Sequence, residues 1–135
     1  MSIVIRDVRE TERTRRELEA VWRRASVGLA LTRDDRFHRV NPHLEAMLGW
    51  PPGELEGQRA EVAGPDPQAW LRLVASAAAG LQAGEVVTRG LRLRRRDGSL
   101  FVARVQGQAV DAAHPALGTI WIAEDITARR EAERA

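Results

Sequence analysis

His43 and Met47 stand four residues apart in a stretch of helical character, a spacing at which an imidazole and a thioether share one helix face and could present a soft ligand pair. The plainer expectation is that His43 is the exposed second residue of its helix and Met47 belongs to the core. Ser26, Ser76 and Ser99 lack the strand-to-helix setting of an activated nucleophile. The three histidines show no metal-ligand spacing, and the absence of cysteine excludes thiol catalysis, disulfides and thiolate-bound zinc or iron–sulfur sites. With no paired catalytic groups, the expectation is a protein that is not an enzyme. The chemistry left is binding. Small residues (Ala77, Ala78, Ala103, Gly107) are set against larger ones (Leu29, Leu31, Trp70, Leu73, Phe101, Val105) between a long helix and a sheet. Leu44, Leu48, Val74, Leu93, Trp121 and Ala123 complete the expected lining. A mostly apolar space with few polar groups is the ordinary form of a small-molecule site, and equally of a filled core.

The elements that would position these residues follow from local pattern. Val4, Val8, Thr11, Arg15, Leu18, Trp22 and Ala25 repeat at 4-3 spacing and predict a helix over residues 4–25 with one seam. Thr11 and Arg15 weaken the seam's middle, so the helix needs a partner chain or the outer sheet face; the alternative is a frayed, solvated tail. Residues 27–32 and 37–40 predict a hairpin around Arg33-Asp34-Asp35-Arg36. Asn41 can cap the next helix, Pro42 suits its first position, Leu44 and Leu48 face inward, and Gly49 ends it. Ala60 to Pro67 reads as loop or a single helical turn. A longer helix over 68–83 carries Trp70, Leu73, Val74, Ala77, Ala78 and Leu81 as an apolar stripe. Its alanine-rich half allows close approach to a sheet or leaves room for a small molecule.

The last third of the chain organises the rest. In RRRDGSLFVARVQGQAVDAAHPALGTIWIAEDIT, Asp97-Gly98 is a turn pair between two strand-like runs. Leu91 and Leu93 face inward before it, with Arg92 and Arg94 outward; Phe101, Ala103, Val105 and Gly107 alternate with Val102, Arg104 and Gln106 after it. A loop from Asp111 to Gly118 leads to a strand over 119–123. Trp121 and Ala123 would face one side and Ile120 and Ile122 the other, so each side of the sheet must be covered. Thr127 is the expected N-cap of a helix beginning at Ala128. The order of elements predicts an α+β fold, a five-stranded antiparallel sheet with helices on one face.

The 135 residues suit one domain, long enough to bury about 65% of the surface of the unfolded chain. The pI near 10.7 contrasts with a net charge of only +2. The two agree because the sequence has no Lys, Tyr or Cys, so little titrates between the N-terminal amine and Arg. The densest basic cluster, Arg92, Arg94, Arg95 and Arg96, reads as a solvated face beside a turn. Without aromatic interleaving or a recognition motif, no nucleic-acid partner is expected. There is no signal peptide and no run of apolar residues able to span a bilayer, so no direct membrane contact and a cytoplasmic location are expected.

Two stretches together resemble the PAS sensor domains with their C-terminal PAC part. One is the strand pair around Asp97-Gly98 with the Gly118-Thr119 strand and the closing Asp125-Ile126-Thr127. The other is Asn41 to Gln58, NPHLEAMLGWPPGELEGQ, with Trp50 where the family usually has tyrosine. The resemblance covers about Ala25 to Thr127. It implies strand order 2-1-5-4-3, one long helix on the inner face and three parts: an N-terminal flanking and dimerisation helix over 1–25, a PAS domain over 26–127, and the start of a signalling helix over 128–135. It further implies a sensory input module whose signal leaves through Asp125, Ile126 and Thr127. The alternative is a ligand-free homodimerisation and relay module built on Leu18, Val21, Trp22, Ile120 and Ile122. The effector would be a histidine kinase, a cyclic-di-nucleotide cyclase or phosphodiesterase, or a transcription regulator, in a longer protein or on a partner. The flavin photocycle of the family needs a cysteine that this chain lacks, and flavin-contacting polar positions are Ala103 and Ala123 here. A haem-binding member would carry an axial histidine on the long helix, where there is none, so haem is not expected and the ligand is unknown.

Overall fold

In the computed structural model the backbone is described for residues 2–134 and side chains for 10–128 and 131–133. The Asp97-Gly98 turn closes the longest strand pair. Gly98 takes φ +91, open to glycine at little cost, while Asp97 Oδ1 accepts from the Ser99 hydroxyl at 2.6 Å and the Ser99 amide at 2.9 Å. That hydroxyl, then the amide, holds the Asp97 carboxyl below its usual range. The contribution is in place above the ordinary carboxylate value and fades as pH falls through the lowered one. On either side run β3 (Val87–Arg94) and β4 (Leu100–Ala109), paired antiparallel with Leu93 opposite Phe101 and Val87 opposite Gly107.

The other strands are β1 (Gly28–Arg33), β2 (Arg36–Val40) and β5 (Thr119–Asp125), and the sheet order is β2-β1-β5-β4-β3. Asp34 and Asp35, at φ 51 and 61, form the two-residue turn joining β1 to β2, a left-handed geometry that suits the twist of the strands it connects. Thr32 pairs with Phe37 but Leu31 with Arg39, so His38 is an extra residue in β2. The bulge lets Phe37 and Val40, an odd number of residues apart, both face the core.

The helices are α1 (Ser2–Arg24), α2 (Pro42–Leu48), α3 (Ala69–Gln82) and α4 (Thr127–Arg134), with a 3₁₀ turn over Ala60–Ala63 and another over Pro115–Leu117. Leu44, Leu48, Leu55, Ala60 and Ala63 from the segment before α3 close over the sheet's inner face, which contributes Ala30, Phe101, Ala103, Val105, Trp121 and Ala123. Asn41 caps α2 as expected, its Oδ1 accepting from the Leu44 amide at 3.0 Å. The same side chain also takes the Leu29 amide and donates to the carbonyls of Trp22 and Val27. One fully buried amide thus ties α1, β1 and α2 together.

Candidate functional site

A cavity of about 560 Å³ lies between the inner face of the sheet and the helical segment. Its floor is made of the inward residues of β1, Gly28, Ala30 and Thr32, with Val105 of β4 and Trp121 and Ala123 of β5. Small side chains on β1 and β5 are what leave the space. Leu44 and Leu48 of α2, Ala60 and Ala63, and Trp70 and Leu73 of α3 form the roof. Space survives under α3 because the helix is held at one end. Gly80 sits so close to Val87 that a Cβ there would meet the valine methyl at 2.6 Å, and Ala77 is sealed beside it. The lining residues of α3 therefore stop at Ser76.

Two tryptophans shape the inner wall. Gly107 stands opposite Trp121, and the indole lies over it in the space a Cβ would occupy. That seat aims Trp121 Nε1 at Thr32 Oγ1, 2.9 Å away, so the buried indole N–H is satisfied. Trp70 meets the same ring edge-on, centroids 5.7 Å apart, and donates its own Nε1–H to Asp35 in the β1-β2 turn at 2.8 Å. Most of the polar side chains are at the mouth, between α3 and the edge strand β3, where Arg72, Ser76 and Arg92 are exposed and Arg89 is half-buried. Arg89 Nη2 donates to the Ser76 carbonyl at 2.9 Å and Nη1 to the Thr88 carbonyl at 2.8 Å. Arg72 is engaged by Asp66 at 2.8 Å, and that bond, followed by the Gln68 amide, pulls the Asp66 carboxyl below its usual value. The interaction is lost only as pH falls through that lowered value, so Arg72 remains occupied at neutral pH.

β5 leads from the cavity wall to the C-terminal helix. Two residues beyond Ala123, Asp125 Oδ1 accepts the Thr127 amide at 3.0 Å, while Oδ2 lies 3.6 Å from Arg95. Arg95 in turn covers the Phe101 ring at 4.4 Å. The Thr127 hydroxyl faces β4, accepting from the Val102 amide at 3.1 Å and donating to its carbonyl at 3.4 Å. The Ile126 amide donates to that carbonyl as well, at 3.0 Å. Asp125, rather than Thr127, accepts the first amide of α4. Thr127 begins the helix, and its hydroxyl anchors that start to β4.

A family model described as the PAS fold matches residues 22–131. The chain belongs to the PAS family. It is similar to the sensor protein TdiS of Thauera aromatica, 24% identical over 115 residues, which are 85% of this chain and 21% of that protein. The chain thus spans about a fifth of that relative's length. Among solved structures it is similar to the PAS domain, in complex with ethanol, of a LuxR-family transcriptional regulator from Burkholderia thailandensis. The two are 26% identical, with a TM-score of 0.73 over 80% of this chain and 96% of that one. A PAS domain from Colwellia psychrerythraea, 15% identical, shares the fold with a TM-score of 0.75 over 84% and 98% of the two chains.

Within this PAS domain, Leu44, Leu48, Trp70, Leu73, Leu93, Val105, Trp121 and Ala123 are brought together at the cavity. Leu29 and Leu31 are not: they lie on the opposite face of β1, beside Ile122 and Ile120. The physical reason is a one-residue difference in parity, which turns every side chain of a strand over. Phe101, Ala103 and Ala77 are buried in the core outside the cavity, and Val74 is half-buried outside it. Arg89 was not singled out from the sequence, although the alternation that turns Leu91 and Leu93 inward turns Arg89 inward too. His43 is exposed while Met47 packs on the core, so the two do not form a ligand pair. Among the described residues no group of three or more His, Asp or Glu could hold a metal, and no helix is long and apolar enough to cross a membrane.

On the outer face, Leu29, Leu31 and Ile120 are half-buried and Ile122 is exposed. The last turns of α1 are tied to the body through Glu19–Arg39 at 2.6 Å and Arg39 stacked on Trp22 at 4.9 Å. Leu18 and Val21 are 64% and 66% exposed, while Trp22 and Ala25 at the end of the seam are half-buried. Val4 and Val8 lie outside the described side chains.

Proposed function

We propose that this PAS domain is the sensory input of a signal-transduction protein, taking a small, mostly apolar molecule into the cavity. The observation that carries the reading is that Trp121 and Ala123 line the cavity on the strand that ends in the Asp125-Ile126-Thr127 junction. An occupant pressing on β5 acts on the element that sets the exit of α4. It biases a two-state equilibrium only by its differential affinity for the two states, about 5.5 kcal/mol for a 1:99 to 99:1 switch. In this reading residues 26–127 are the sensory body, α1 is the flanking helix, and 128–135 begin the helix leading to an effector such as a kinase or cyclase. The sensor protein among the relatives supports that setting. Ala30→Leu, which places a larger side chain into open volume, is expected to weaken uptake of an apolar probe such as 1-octanol at least tenfold, with the thermal midpoint kept. Fluorescence of Trp70 and Trp121 reads it, and unchanged affinity in this variant would refute the cavity as the site.

A second reading, homodimerisation and relay through α1 and the outer sheet face, is favoured by the exposed Leu18, Val21 and Ile122. Ile122→Glu places a charge in the centre of that apolar face and is expected to convert a dimer to monomers in analytical ultracentrifugation. A dimer that survives the substitution places the interface elsewhere.

A further inference from the structure

The charge around the cavity is one-sided. Three arginines, Arg72, Arg89 and Arg92, are among its described lining residues and no Asp or Glu is. Asp66 answers Arg72, and the nearby Asp35 accepts from Trp70. Among the described residues, two cations are left at the mouth. Arg92 is exposed on the edge strand, but Arg89 is half-buried and shares the inward parity of Leu91 and Leu93. Its bonds all go to neutral oxygens: the carbonyls of Ser76 and Thr88, and the Ser76 hydroxyl at 3.4 Å.

A half-buried guanidinium at the rim of an apolar space, with no carboxylate partner among the described residues, is a cation open to an anionic ligand. It has five N–H donors in a fixed fork, and three are engaged here, one of them at long range. The remaining pair suits a planar anion, which a guanidinium can take in two parallel bonds. The walls behind it, from Leu73 to Trp121, are apolar and offer an anion nothing. The site is therefore amphipathic, with its polar end fixed by one residue.

Resting on the reading of the cavity as a ligand site, we infer that its ligand class is a small apolar acid, with its carboxylate on Arg89 between α3 and β3 and its hydrocarbon body against Trp70 and Trp121. The two free N–H groups of Arg89 would take the ligand while its bonds to Ser76 and Thr88 stay in place.

The test compares octanoate, ionised at neutral pH, with 1-octanol, which has the same chain and no charge. Binding to the whole chain is followed by tryptophan fluorescence at low and at physiological salt. Octanoate is expected to bind at least tenfold tighter than octanol. Arg89→Gln should abolish that preference and leave octanol affinity within about twofold, while Arg89→Lys should restore part of it. Circular dichroism and the thermal midpoint of each variant confirm that the fold is retained. Equal affinities for the two probes, or a preference untouched by Arg89→Gln, overturn the assignment of the acid while the cavity stands. If neither probe binds, and Ala30→Leu matches the unchanged chain, the cavity reading fails and this inference fails with it.

Discussion

Asn41→Ala is expected to lower stability by roughly 3 kcal/mol, with a fall in thermal midpoint of about 10 °C. The side chain is fully buried and makes four hydrogen bonds: Oδ1 accepts from the amides of Leu29 and Leu44, and Nδ2 donates to the carbonyls of Trp22 and Val27. Alanine leaves two amides and two carbonyls without that partner, where water cannot reach all of them. Loss of a helix cap alone costs about 1 kcal/mol, so the excess measures the tie to α1 and β1. Asn41→Asp separates the two halves of the side chain. It keeps an acceptor for Leu29 and Leu44 but points an oxygen at the Trp22 and Val27 carbonyls, and should be at least as damaging. Urea unfolding supplies the energies. Faster quenching of Trp22 in a folded variant would show α1 coming loose before the body does. A loss in Asn41→Ala no larger than an ordinary cap would mean that the tie to α1 contributes little.

The parts of this fold legible in the sequence are those governed by local chemistry. Asp97-Gly98, the Asn41-Pro42 helix start and the stop at Gly49 each follow from what their own backbone can do, and each stands where expected. Strand order came from the family resemblance, since the pairing of β1 with β5 joins segments some ninety residues apart and leaves no local trace. Parity on β1 was the informative failure. In VGLALT the leucines are the larger residues, and size suggests that they face inward. The chain instead turns Gly28, Ala30 and Thr32 inward and places the leucines beside Ile120 and Ile122. The same arrangement leaves space on the inner face and an apolar surface on the outer one. Ala103 failed differently: its inward direction was right, but burial under neighbouring side chains keeps it out of the cavity. A large residue there would overpack the core rather than plug the site. Arg89 shares its register with Leu91 and Leu93, so its inward direction is legible in the alternation although charged residues ordinarily face solvent.

Thr127→Val should have the largest effect on the junction while hardly touching the body. The two side chains have nearly the same shape, so what is removed is the hydroxyl, which accepts from the Val102 amide and adds a second bond to the Val102 carbonyl. The Ile126 amide still reaches that carbonyl, and Asp125 still takes the Thr127 amide. A loss of about 1–2 kcal/mol is expected, confined to the first turn of α4 and its seam with β4. Local opening there should become roughly 5- to 30-fold more frequent. Hydrogen exchange at the amides of Val102 and residues 126–128 reads this directly, with β3 amides as the internal control. Thr127→Ser keeps the hydroxyl and should exchange as the unchanged chain does. If the proposed route from cavity to helix runs through this contact, an occupant that protects β5 amides will also protect residues 126–128 in the unchanged chain and in Thr127→Ser. In Thr127→Val the protection should stop at Asp125. Protection that crosses the junction undiminished in the valine variant would show that α4 is held by Asp125 and Ile126 alone, and would remove the Thr127 hydroxyl from the route.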